Sequence, residues 1–288
     1  MRCLYPCLLV LMIFSTPLQG FAQDLAAYRI FHSTGRPADF SRLVEEVQQA
    51  DVVFFGELHG NPIAHRLQLA LARALHAKNP QLQLAMEMFE ADNQLVLDEY
   101  LQGLIPEKHL LSEAKVWPGY PTDYKPLLDF AREQGLPVIA SNIPRRYANL
   151  VYRQGLEALD SLSAEARRWI APLPIVVDLQ LPGYQAMLHS MGGHGNPASS
   201  ENLVKAQAIK DATMAHFILQ HLEKGKILHL NGAYHSKNRE GIVWYLLQQQ
   251  PELRIATITT LEQQGVKKLE KANRNTADFI LVVQEKVQ

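Results

Sequence analysis

Cysteine is nearly absent from this chain: Cys3 and Cys7 are the only two in 288 residues. Both fall in an N-terminal stretch that reads as an export signal. Arg2 supplies a short positive region, Leu8 to Phe14 an apolar core, and Gly20-Phe21-Ala22 a small-x-small cleavage site, so the mature chain is expected to begin near Gln23. Such a chain carries no disulfide, thiolate metal site or cysteine nucleophile, and any metal must be held by His, Asp, Glu, Tyr or Asn. Long apolar runs are also missing. The signal core is too short for a membrane span, and no later run approaches the roughly 20 apolar residues a spanning helix needs. The expectation is a soluble, exported, periplasmic protein. A lipoprotein anchor is disfavoured, because no cysteine directly follows the apolar core. Excess charge of one sign is lacking too. There are 28 basic and 29 acidic residues, a formal charge of -1, and losing Arg2 leaves 27 against 29, or -2. That balance argues against a nucleic-acid partner. No internal repeat, low-complexity tract or charge block occurs.

What is present is an alternation of apolar runs and helical patterns, expected of an α/β fold with a mostly parallel central sheet flanked by helices. The strand candidates are 29–32, 52–55, 83–88, 137–141, 227–230, 254–259 and 279–283. Between the second and third, Asn61 can cap a helix whose first turn takes Pro62, with Ile63, Leu67, Leu71, Ala74 and Leu75 at helical spacing. After Asn142 the pattern turns helical, near 146–158, 164–170 and 200–223. Residues 1–22 are thus expected to be signal and 23–288 one α/β domain, with a helical insertion at about 143–224 forming a lid. Two Pro/Gly-rich stretches with aromatics or histidines, 117–126 and 181–197, suit ordered binding loops or plain surface connections.

One pattern occurs twice behind a strand-like run: Gly56-Glu57-Leu58-His59 and Gly232-Ala233-Tyr234-His235. In an open α/β sheet the strand carboxyl ends form the ligand crevice, so the two histidines can meet there. Glu57 and His59, two apart, point to one side if the chain stays extended; alternatively Glu57 caps the following helix. Glu87 sits in the apolar run Leu84-Ala85-Met86-Glu87-Met88-Phe89, where an unpaired charge costs several kcal/mol, so it needs a partner. His65, in a first helical turn, is expected to be a neutral ring supporting its neighbours. Asn142 ends a strand and either joins the site or caps the next helix, and Asn231 precedes the second turn. Glu57, His59, Glu87 and His235 form a donor set suited to Zn²⁺, Mn²⁺ or Fe²⁺, and equally to metal-free acid/base chemistry.

These residues resemble a known family, the ChaN-like haem-binding uptake proteins, in the superfamily that also holds the Tiki proteases and erythromycin esterases. The resemblance runs through Asp51 to His59, Ala85-Met86-Glu87-Met88-Phe89, Gln94 with Leu97 and Tyr100 to Gly103, and Trp117 with Tyr124-Lys125-Pro126-Leu127. It continues in Ala140 to Arg145, Ala206-Gln207 with Asp211 and Met214-Ala215, and Gly232 to His235. It implies haem as ligand and a part in iron uptake, with an outer-membrane haem receptor or other uptake component as partner. The wider superfamily implies a metal-supported hydrolytic site, peptidase- or esterase-like, at the paired turns. Haem needs an apolar slot, an iron ligand and groups for its propionates. Tyr184, His189, Met191 and His194 are the expected haem cluster, with Tyr120, Tyr124 and Tyr234 as competing ligands; alternatively Met187, Leu188 and Met191 pack a short helix. A flat exposed haem would favour a homodimer.

Overall fold

The structure, a computed structural model, describes residues 28–191 and 197–285. The expected signal and His194 lie outside them, as does the side chain of Met191. Eight strands form one sheet in the order β2-β1-β8-β7-β3-β6-β4-β5. They are β1 (Tyr28–His32), β2 (Pro37–Ala38), β3 (Val52–Glu57), β4 (Gln83–Glu90), β5 (Val138–Asn142), β6 (Ile227–Gly232), β7 (Ile255–Gln263) and β8 (Phe279–Gln284). From β8 to β5 every pairing is parallel, and only β1 runs antiparallel to its neighbours. The expected mostly parallel sheet is what forms. The two-residue β2 has too little pattern to be read from sequence.

The central strands are buried on both faces because their alternating side chains each meet a helical layer. Val53 and Phe55 point into one core with Leu71, Leu75, Leu127 and Phe130. Val52 and Phe54 point into the other, with Ala212, Met214, Ala215 and Ile218. The helix Pro62–Lys78 begins as its sequence predicts: Asn61 accepts from the Ile63 and Ala64 amides at 3.1 Å, and Pro62 occupies the first turn. Its buried stripe is rotated from the expected one, and carries His65 and Gln68 beside Ala64, Leu71, Ala72 and Leu75.

Between β5 and β6 the described chain is helical: Arg145–Gln154, Pro182–Met191 and Pro197–His221, with short 3-10 turns at Leu156–Ser161 and Ala166–Trp169. Pro197–His221 supplies the layer over Val52 and Phe54. Both stretches expected as irregular loops contain helix, at Tyr120–Asp123 with the start of Lys125–Gln134, and at Pro182–Met191. Gly119 and Pro182 are helix boundaries, and the Pro/Gly content marks where the helices start. Among the described residues no helix is long and apolar enough to cross a membrane.

Candidate functional site

The two Gly-x-x-His turns sit side by side, because β3 and β6 are parallel neighbours with Gly56 opposite Asn231 and Glu57 opposite Gly232. A Cβ on Gly56 would lie 2.8 Å from the Ala233 Cα; only glycine lets the second turn pack that closely. The next strand, β4, is in register with β6 through Met86, and its pairing with β5 then shifts between Met86 and Glu90. That irregularity turns Glu87 toward the same strand ends.

Glu57, with 1% of its surface exposed, caps nothing. Its Oε1 accepts from His59 Nδ1 at 2.8 Å and from the Tyr124 hydroxyl at 2.8 Å, and its Oε2 accepts from Gln68 Nε2 at 2.7 Å. His65 Nδ1 is 3.5 Å from Oε2 and its Nε2 is 3.5 Å from Asp123, so His65 lies beneath the site and out of the cleft. The hydrogen bond that His59 donates to Glu57 raises the histidine's pKa above its usual value, against the opposing effect of burial. His59 is half exposed, with its ring edge-on to Trp117 at 5.1 Å. With Nδ1 committed, Nε2 is its free nitrogen. That nitrogen lies over Gly232, where a Cβ would come within 2.9 Å of it and 3.7 Å of Glu87 Oε2.

The second imidazole is held differently. His235 is buried, with Nδ1 at 2.6 Å from Asp211 Oδ1 and Nε2 at 3.3 Å from Glu87 Oε1. Carboxylates only accept, so a ring between two of them carries a proton on each nitrogen. Burial opposes that charge, but the Glu87 and Asp211 carboxylates outweigh it and lift the His235 pKa to about 10. Glu87 also accepts the Gly232 amide at 2.7 Å; despite burial, the facing His235 charge holds its carboxyl down at about 2. Asp211 goes the other way. Burial raises its pKa despite His235, because one imidazolium serves two carboxylates, and the Tyr184 hydroxyl donates to its Oδ2 at 3.0 Å.

A polar strut supports the turn from below. His229, fully buried, bridges Ser141 Oγ and Asn231 Oδ1 at 3.0 Å each, and Asn231 Nδ2 donates to Ser236 Oγ at 3.0 Å. Burial depresses the His229 pKa to about 4, so this ring is neutral. Asn142 donates to the Glu87 carbonyl at 3.0 Å and does not cap the Arg145–Gln154 helix, which starts from Pro144 without a side-chain cap.

Above these groups opens a cleft of about 740 Å³. Glu57, His59, Glu87, Asn142 and His235 lie at its floor. Leu58, Trp117, Pro118, Ile143, Met187 and Tyr234 give it apolar walls, and Arg145 and Lys210 add cationic groups. Arg145 Nε pairs with Glu90 at 2.7 Å. Of the expected haem cluster, Tyr184 is 2% exposed and does not line the cleft. His189 is exposed, with Nδ1 on the Gln185 carbonyl at 2.7 Å.

The residues do not fit a divalent metal. Among the described residues no group of three His, Asp or Glu side chains is arranged to hold one. His235 has no lone pair to offer while both its nitrogens face carboxylates, which leaves His59 Nε2 as the free imidazole nitrogen of the expected set. Sequence reasoning missed Asp211 and Gln68 as site residues. Their signal was the one that picked out Glu87: a polar side chain within an apolar pattern, Asp211 between Ile209 and Ala212 and Gln68 in the buried stripe.

The sequence matches the family described as haem-binding uptake, Tiki superfamily, ChaN, over residues 43–246. It is 27% identical over 202 residues, 65% of this chain, to the chloroplastic protein RETICULATA-RELATED 5 of Arabidopsis thaliana, and spans 27% of that relative's length. Among solved structures, ChaN of Campylobacter jejuni with cofacially bound haem shares the fold at a TM-score of 0.69 and 18% identity, covering 90% of this chain and 98% of that one. A succinoglycan biosynthesis protein aligns at 0.52 and 10% identity, over 90% and 94%. With the family matched over most of its length, this chain belongs to the haem-binding uptake proteins of the Tiki superfamily, the group of ChaN.

Proposed function

We propose that this is an exported haem-binding protein of haem and iron uptake that holds haem in the cleft at the strand ends, with a second subunit covering the exposed face. The observation that carries this reading is the composition of the cleft: apolar and aromatic side chains beside buried polar groups, with cations among them. Haem presents a wide apolar ring and two carboxylates, and Trp117, Ile143 and Met187 suit the ring as Arg145 and Lys210 suit the propionates. The hydroxyls of Tyr120, Tyr124 and Tyr184 are committed to Glu107, Glu57 and Asp211. Tyr234 lines the cleft, is 38% exposed, and its hydroxyl makes only a long 3.5 Å contact to the Gly183 carbonyl. It is the tyrosine best placed to reach iron, with His59 Nε2 as the other donor. Burial and the nearby Asp211 and Glu240 carboxylates raise the Tyr234 phenol pKa, so its phenolate forms when iron displaces the proton. The helices Arg145–Gln154, Pro182–Met191 and Pro197–His221 serve as the wall and lid of this site, and an outer-membrane receptor is the expected source of haem.

Titrating the purified chain with hemin gives a saturable Soret shift, and sedimentation shows two chains associating as it saturates. A linear, unsaturating titration contradicts the reading.

One observation favours a second activity: the Glu57–His59 pair is built like a general base with its orienting carboxylate. His59 would take a proton at Nε2 from a water adding to an ester or amide carbonyl and return it to the departing alcohol or amine, giving hydrolysis without metal. Chromogenic ester and peptide substrates test it in the presence of chelator. Turnover should rise with pH above the ordinary imidazole range, as the raised His59 pKa requires, and vanish in His59→Ala. Absence of turnover on every substrate removes this reading.

A further inference from the structure

Tyr184, Asp211 and His235 come from three separate segments, the helices Pro182–Met191 and Pro197–His221 and the turn Ala233–His235. Inside the protein they form one chain of hydrogen bonds, Tyr184 to Asp211 at 3.0 Å and His235 to Asp211 at 2.6 Å. Both oxygens of a carboxylate that is 0% exposed are used. The packing around it leaves no slack. Gly241, at φ +54°, lies so close that a Cβ there would be 2.5 Å from the His235 carbonyl oxygen and 3.2 Å from Asp211 Cγ. Next to it, Glu240 accepts the Gly183 amide at 2.6 Å, a second tie from this region to the Pro182–Met191 helix. Tyr234 sits between the tied parts. Its ring is edge-on to His235 at 5.6 Å and 84°, and within 4.0 Å of where a Cβ on Gly183 would stand.

Stability alone gives no reason for such an arrangement, since a buried charged group can often be replaced by apolar packing at no loss. It does fix geometry: it joins the helix that carries Met187 to the turn that carries Tyr234 and His235, both of which border the cleft.

We propose that Asp211 and Tyr184 form a buried clasp, a pair of positioning residues that never touch the ligand but set Tyr234 and the Met187 wall for it. The proposal rests on the haem reading for the identity of the ligand, not for the clasp itself.

Two measurements on Tyr184→Phe, Asp211→Asn and Asp211→Glu separate the two. In proton NMR, the wild-type chain without hemin shows a downfield, slowly exchanging His235 Nδ1 proton, which shifts in Tyr184→Phe and disappears in Asp211→Asn. In hemin titration, losing a hydrogen bond to a charged group weakens binding about tenfold in Tyr184→Phe and more in Asp211→Asn. The spectrum of the bound iron changes, and Asp211→Glu restores part of both. Tyr184→Phe removes a single oxygen and keeps the test decisive if Asp211→Asn does not fold. Wild-type affinity and spectrum in a folded Tyr184→Phe overturn the clasp, as does a His235 proton exchanging freely in the wild type. If the wild type takes up no hemin, the haem reading falls and the NMR signal alone decides the clasp.

Discussion

Two histidines in this protein sit in opposite electrostatic surroundings, and each leaves its own mark on stability. His229, buried between Ser141 and Asn231, has its pKa depressed to about 4 by burial, which outweighs the Asn231 hydrogen bond and the more distant Glu87 charge. Between pH 6.5 and 4 the unfolded chain therefore binds a proton that the folded chain refuses. Stability falls as pH drops through that window, by on the order of 3 kcal/mol over its whole span. His235, between Glu87 and Asp211, has its pKa raised to about 10. Its contribution is fully present below pH 6.5 and is lost as pH rises toward 10. Glu87, held at about 2, adds a term present above its unfolded pKa and lost as pH falls through about 2. Urea midpoints taken from pH 4 to 10 should pass through a maximum near neutrality, and His229→Gln should flatten the acid limb alone. A midpoint independent of pH would contradict this account of both rings.

At the level of elements, the two Gly-x-x-His turns look alike in sequence and differ in what their glycines do. Gly56 faces backbone: a Cβ would meet the Ala233 Cα at 2.8 Å and the Ile258 carbonyl oxygen at 3.2 Å. Gly232 faces a side chain, His59, and has φ -58° and ψ 138°, which alanine adopts freely. Gly56→Ala should therefore cost about 1–3 kcal/mol by pushing β3 and the second turn apart. Gly232→Ala should change stability by less than about 1 kcal/mol while displacing His59 and weakening ligand binding. Denaturation and hemin titration of both variants check the contrast, and equal destabilisation would refute it.

The sequence signals were strongest where a single chain segment decides its own structure. The runs at 52–55, 83–88 and 227–230 are strands because both faces are buried and every residue is apolar or needs a partner. The Pro62–Lys78 helix announces itself through Asn61 and Pro62. Both glycine turns were legible for the same reason. Asp211 was harder to see, since its role depends on a helix laid across the sheet from far along the chain, and no local pattern says which strand end that helix will meet. The helix at Pro182–Met191 was legible only as the alternative in which Met187, Leu188 and Met191 pack a short helix, and packing of Tyr184 against Val204 and Ala208 secures it.

On the scale of the whole molecule, the sheet order explains where the crevice lies. The chain leaves β3 for β4 on one side, comes back to place β6 between them, and then builds β7 and β8 on the other side of β3. The carboxyl ends of β3 and β6 thus lie where the winding changes direction, the place an open α/β sheet offers a crevice. Glu57, Glu87, Asn142 and the second turn all come from strand ends at that edge, and the segments between β5 and β6 wall it in. The fold makes the crevice, and on the proposed reading Tyr234, Met187 and the cationic groups suit it to haem. The most direct test is a Soret titration of hemin into Tyr234→Phe beside Tyr152→Phe, whose tyrosine is 43% exposed on the Arg145–Gln154 helix and does not line the cleft. Tyr152→Phe should bind hemin with the wild-type spectrum and affinity, and Tyr234→Phe should lose both. A Tyr234→Phe chain that keeps the wild-type spectrum and affinity would contradict the placement of haem in this cleft.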